Sequence, residues 1–175
     1  LQLLNCNNPE TTETKYLEVI ARKTAILFSA ATRLSAVIAS ASAETEECLA
    51  QYGQHLGIAF QLIDDALDYK ASLEDLGKNL GDDLAEGKPT LPLIYAIQKG
   101  NETEAKIIIG AIKNGNRNAF NEVYAIVQST QAIAYTEQRA DEEAEKAIHA
   151  LSALPASKYK EALTLLAKFS VQRNY

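Results

Sequence analysis

The stretch Gly57-Ile58-Ala59-Phe60-Gln61-Leu62-Ile63-Asp64-Asp65-Ala66-Leu67-Asp68-Tyr69 sets three carboxylates within five residues of an otherwise apolar run. It reads as helix. At about 100° per residue, Leu49, Tyr52, Leu56, Phe60, Ile63 and Leu67 fall on one side, and Gly57, Gln61, Asp64, Asp65 and Asp68 on the other. The carboxylates are therefore expected on a face opposite the core stripe. Three oxygen donors so close together suit a hard cation such as Mg²⁺, which commonly bridges one or two protein carboxylates to substrate phosphates. Lys78 and Lys88, in the polar segment that follows, would supply the positive charges a diphosphate needs.

Working outward, Ser42 is placed to cap this helix, with Glu44, Glu46 and Glu47 in its first turn complementing the macrodipole. Gly53 and Gly57 would each cost a helix about 1 kcal/mol relative to Ala, so another helix or a ligand is expected to approach closely there. Upstream, from about Thr12 to Ser42, apolar residues fall on nearly all sides (Tyr16, Leu17, Ile20, Ile26, Leu27, Phe28, Leu34, Val37, Ile38). Such a helix is expected to be central and buried. Lys23 and Thr24 lie within it; a lysine there is either snorkelling or paired with an anion. Downstream, Ala71 to Pro89 is polar, carries Gly77, Gly81 and Gly87, and reads as a long loop with a short helical turn. Thr90 is placed to cap a helix reaching Lys99, with Pro92 in its first turn. Further helices are expected at about 102 to 114, 118 to 129, 131 to 152 and 157 to 172, the last capped by Ser157.

Composition agrees with helices throughout. Of 175 residues, 47% are hydrophobic, and only 8 are Gly and 4 Pro, which favours a single all-α bundle around one sizeable core. The net charge of −6, with no basic stripe or aromatic platform, disfavours nucleic acid as a partner. Cys6 and Cys48 lack zinc or disulfide-framework spacing and read as reduced, inert thiols, which points to the cytoplasm. No run reaches the roughly 20 apolar residues of a membrane span. The chain opens Leu1-Gln2-Leu3-Leu4 and contains no Met, so a preceding segment is expected.

Alone, each chemical feature has a plainer reading. An acidic triplet can be a solvated face, Lys78 and Lys88 surface charges, Gln61 a partner for a neighbouring helix, and His55 and His149 satisfied or exposed histidines. Burial of the aspartate face in a bundle would change the balance, because an unpaired buried carboxylate costs several kcal/mol and a cation would relieve it.

Four ordered motifs sharpen the reading: Lys23-Thr24-Ala25, the stretch quoted above, Gly77-Lys78-Asn79-Leu80-Gly81-Asp82-Asp83, and Glu86-Gly87-Lys88-Pro89-Thr90-Leu91-Pro92. Together they resemble the C-terminal part of the trans-isoprenyl diphosphate synthases, or polyprenyl synthetases. The likeness is strongest to the bacterial octaprenyl branch, and the ending with Leu154-Pro155, Tyr159, Ala162-Leu163 and Arg173 agrees with it. It covers essentially all of residues 1–175 but about half of the family's domain; the half bearing a first Asp-rich motif is not here. The resemblance implies an all-α bundle of the isoprenoid synthase type, acting as a homodimer without a membrane span. It implies a prenyltransferase that elongates an allylic diphosphate with isopentenyl diphosphate to a long all-trans chain, octaprenyl by overall likeness, for quinone side chains. By motif position, Asp64, Asp65 and Asp68 would hold Mg²⁺, and Lys23, Thr24, Gln61, Lys78 and Lys88 would bind the allylic diphosphate. Phe60 would border the prenyl or isopentenyl pocket, and Asp64, Asp65 and Lys88 would carry the ionisation step. Two alternatives remain open: a non-catalytic half-domain or subunit that binds prenyl diphosphate, which the missing first motif keeps open, and a class I terpene cyclase, which the Lys-bearing loop disfavours.

Overall fold

The computed structural model describes residues 6–70 and 81–173. Among them all regular structure is helical. In chain order the helices are α1 (Glu13–Ile20), a π turn (Ala21–Ala25), α2 (Ile26–Ile38), α3 (Ala43–Leu67), the short α4 (Asp82–Ala85), α5 (Leu91–Lys99), α6 (Glu102–Asn114), a 3₁₀ turn (Arg117–Ala119), α7 (Phe120–Ser129), α8 (Ala132–Ala150) and α9 (Lys158–Gln172). No described helix is long and apolar enough to cross a membrane. The described residues divide into two compact units, one built from residues 6–19, 64–70 and 81–137, the other from residues 20–63 and 138–173.

Most helix starts follow local chemistry. Ser42 accepts from the Thr45 N–H at 3.2 Å, and Ser157 from the Lys160 N–H at 3.2 Å. Asn101 begins α6 with a capping box, accepting from Thr103 and Glu104 while Glu104 accepts from the Asn101 N–H. Thr90 is extended before α5 and Pro92 sits in that helix's first turn, but the Thr90 side chain makes no cap bond.

The first unit has a continuous apolar centre. Leu93 and Ala96 of α5, Ile108, Ala111 and Ile112 of α6, and Val123, Ile126 and Val127 of α7 pack with Tyr69, Leu84 and the start of α8. These side chains repeat at three- and four-residue spacing, so each helix buries one stripe. Burying one Val, Leu or Ile stabilises by about 1.5–3 kcal/mol. Gly87, with φ of +64°, turns the chain just before Lys88, where an added Cβ would run into the Asn7 side chain.

The second unit is organised on α3. Tyr52 and Leu56 pack with Ala147, Leu151 and Ala167, with Phe28, Leu49 and Leu163 around them. Gly53 and Gly57 mark the close approach read from the sequence. A Cβ on Gly57 would stand 2.5 Å from Ala25 Cα, and one on Gly53 2.5 Å from the Phe28 carbonyl oxygen. Ser29 donates to the Ala50 carbonyl at 2.8 Å and Thr32 to that of Leu49 at 2.6 Å, stitching α2 to α3.

Two expectations for the segment from Thr12 to Ser42 are corrected. It runs as continuous helical backbone only from Glu13 to Ile38, with a π bulge at Ala21–Ala25 inside it. Nor is it buried on all sides: Tyr16, Val19 and Ile20 are buried, but Ile26, Leu27, Leu34, Val37 and Ile38 of α2 are 52–83% exposed, and the inward side of that half is the seam of Ala25, Phe28, Ser29, Thr32 and Ala36. An apolar pattern records which side chains avoid water, not which element covers them.

Candidate diphosphate and cation site

In the first unit the acidic residues separate into different environments. Asp64 is exposed, Asp68 half-buried, and Asp65 only 5% exposed. The sequence expectation of one shared face therefore holds less well for Asp65, which turns inward because a buried hydroxyl meets it. Tyr16 of α1, itself 5% exposed, donates its Oη to Asp65 Oδ2 at 2.6 Å. Burial, followed by the charge of Asp65 and the bond to it, pushes the Tyr16 phenol well above its ordinary range.

Asp68 stands beside the turn that opens α4. Its Oδ2 accepts weakly from the Asp83 N–H at 3.4 Å. Burial, and then the charge of Asp83, push the Asp68 carboxyl up to about 6, against hydrogen bonds from the Asp83 and Gly81 backbone and the charge of Lys88. Lys88 is held within this turn. Its Nζ reaches Asp83 Oδ1 and Glu86 Oε2, each at 2.8 Å, and its backbone N–H donates to the Asp83 carbonyl at 2.9 Å. Burial acts to lower the Lys88 pKa, but the bonds and charges of Asp83 and Glu86 outweigh it and raise it above the usual lysine range. Asp83, absent from the sequence-based candidates, is thus the residue that ties Asp68 to Lys88. Its place in Gly81-Asp82-Asp83 was the available signal. Lys78 lies outside the described residues.

The second unit gathers Lys23, Thr24, Phe60 and Gln61. Lys23 and Thr24 occupy the π turn, a distortion frequent at functional sites. Thr24 Oγ1 donates to Gln61 Oε1 at 2.8 Å, which orients a glutamine that is 8% exposed. Lys23 is exposed. Phe60 packs its ring 5.6 Å from that of Phe28, and the Arg173 guanidinium lies 3.9 Å over the Phe60 ring while its Nη2 donates to the Phe60 carbonyl at 2.9 Å. This pairing of Arg173 with Phe60, 113 residues away in the chain, has no signal in the sequence. His55 is satisfied by Glu143, Nδ1 to Oε2 at 2.7 Å, and Lys146 holds the other carboxylate oxygen at 2.7 Å.

Among the described residues no three carboxylate, imidazole or thiolate groups converge as a ready-made metal cage. Mg²⁺ does not require one, since it keeps waters and takes ligands from one or two carboxylates and from phosphates. The donors are hard oxygens, and Asp68 beside Asp83 is negative charge held in a half-buried setting that a cation would relieve. On donor chemistry, the residues fit a divalent cation shared with a phosphate ligand.

The chain as a whole is similar to known proteins. The polyprenyl synthetase family model matches residues 1–130. Octaprenyl diphosphate synthases of Haemophilus influenzae and Escherichia coli are 51% and 50% identical to 99% of this chain, which covers 53% and 54% of them. Among solved structures, a polyprenyl synthase from Caulobacter crescentus CB15, complexed with calcium and isoprenyl diphosphate, is 41% identical with a TM-score of 0.92, over 99% of this chain and 54% of that one. A decaprenyl diphosphate synthase from Rhodobacter capsulatus is 36% identical with a TM-score of 0.91, again over 99% and 54%. The chain spans about half the length of these relatives.

Proposed function

The chain belongs to the polyprenyl synthetase family, and from that premise we propose that it is the C-terminal part of a trans-prenyltransferase. The complete protein would elongate an allylic diphosphate such as farnesyl diphosphate with isopentenyl diphosphate, giving a long all-trans prenyl diphosphate, octaprenyl by likeness to the octaprenyl diphosphate synthases above, for a quinone side chain. It would work with Mg²⁺, as a homodimer, in the cytoplasm.

The observation that carries this reading is the half-buried Asp68, held beside Asp83 with Lys88 bound to the same turn. In the proposed mechanism Asp64 and Asp68 hold the cation, and the buried Asp65 adds fixed negative charge or a further ligand. When bound, the cation supplies Lewis-acid stabilisation to the diphosphate as its allylic C–O bond breaks. Lys88 exchanges its bonds to Asp83 and Glu86 for diphosphate oxygens, adding charge where charge develops. Lys78 is assigned the same role by its motif. By their motifs Lys23, Thr24 and Gln61 are assigned to the diphosphate as well, with Thr24 orienting the Gln61 amide so that its N–H groups can donate, and Phe60 is assigned to the border of the hydrocarbon or isopentenyl pocket.

Binding of farnesyl diphosphate by the intact protein tests this assignment. The expected result is Mg²⁺-dependent binding that weakens at least tenfold in Asp64→Ala. Binding that ignores both Mg²⁺ and the substitution would remove the metal role given to Asp64. Tight, metal-dependent binding without turnover by the intact protein would instead support a non-catalytic subunit.

A further inference from the structure

Tyr16 and Asp65 are 49 residues apart in sequence, each is 5% exposed, and the Tyr16 Oη to Asp65 Oδ2 distance is 2.6 Å. That length lies in the charge-assisted O–H···O⁻ range of about 2.5–2.7 Å. A buried carboxylate is expensive, and an apolar pair of similar volume would often stabilise a fold as well or better. Stability alone therefore gives little reason to place a carboxylate here. Its neighbours in sequence supply one, because Asp65 follows Asp64 directly and precedes Asp68 by three residues.

We infer that Tyr16 is a positioning residue for the candidate cation site and acts through Asp65. By occupying Oδ2, the hydroxyl fixes the rotamer of a buried carboxylate and keeps its charge directed at the cation. Partners behind metal-binding groups commonly govern affinity in this way, and their loss typically costs about 10–100-fold in metal binding. The inference deepens the proposed function and rests on its reading of Asp64 and Asp68 as cation-holding.

The test measures Mn²⁺ affinity of the intact protein in the presence of inorganic diphosphate, by electron paramagnetic resonance of the free ion, alongside thermal stability. Tyr16→Phe removes only the hydroxyl and is expected to weaken Mn²⁺ binding by roughly tenfold or more. Asp65→Asn, which keeps an acceptor for Tyr16 and so protects the fold, is expected to lose at least as much. The double variant is expected to bind no more weakly than Asp65→Asn alone, since Tyr16 would have lost the group through which it acts. A Tyr16→Phe protein that melts earlier yet binds Mn²⁺ like wild type would show a purely structural tyrosine and overturn the proposal. Losses that multiply in the double variant would overturn it as well. Equal Mn²⁺ binding by wild type and Asp64→Ala would remove the cation-site reading itself, and the proposal with it.

Discussion

Glu143 shows what one buried charge does when its partners are present. Burial alone would raise its pKa, but the bonds and charges of His55 and Lys146 outweigh that and lower it. A carboxyl whose folded pKa lies below its unfolded value contributes stability above the unfolded value and loses it as pH falls through the folded one. Glu143→Gln is therefore expected to cost about 1–2 kcal/mol near pH 7, and urea titrations of the two proteins should converge as pH falls below the ordinary glutamate range and through the lowered pKa of Glu143. Asp68 has the opposite sign. Its pKa, raised to about 6, means that the folded protein holds a proton the unfolded chain would release, so ionised Asp68 costs stability above that pH. Asp68→Asn should stabilise the cation-free protein at neutral pH by an amount on the order of 1–2 kcal/mol. The same substitution should weaken Mg²⁺ binding, and in wild type that binding should fall as pH drops through about 6, as isothermal titration calorimetry at several pH values would show. The aspartates themselves were legible in the sequence. Their unequal burial was not, because it depends on Tyr16, which approaches from an element 49 residues away.

At the scale of elements, local chemistry carried far. Ser42, Ser157 and the run before Lys99 gave starts and ends close to those observed for α3, α9 and α5. The π turn at Ala21–Ala25 was not readable, since no residue type encodes an extra backbone residue in a helix. Its consequence is visible only with α3 in place, where Gly57 leaves room for Ala25. Gly57→Ala gains helix propensity of up to about 1 kcal/mol but must push against backbone. A net destabilisation of about 1–3 kcal/mol is expected from the denaturant midpoint. A stabilised variant would show that the two segments separate easily. Because Thr24 belongs to the same turn, this substitution should also weaken inorganic diphosphate binding more than an equally destabilising change in α6.

For the whole molecule, the scarcity of Gly and Pro and the three- to four-residue apolar spacing were enough for an all-α fold. The division into two units was not legible, because α1, α3 and α8 each contribute residues to both. The exposed faces of α2 and α9 are a second departure, with Ile38 at 83%, Tyr159 at 71% and Leu165 at 66%. Periodicity marked the α2 residues as apolar and could say nothing of their cover. Family membership rests on the whole length of the chain, whereas product length is assigned by likeness to relatives and not by any residue of the site. The most direct test of the central claim is product analysis of the intact protein given farnesyl diphosphate, labelled isopentenyl diphosphate and Mg²⁺. Linear all-trans prenyl diphosphates, lost with a chelator and reduced at least a hundredfold in Asp64→Ala, are the predicted result. Cyclic hydrocarbons, or linear products undiminished in Asp64→Ala, would contradict the account.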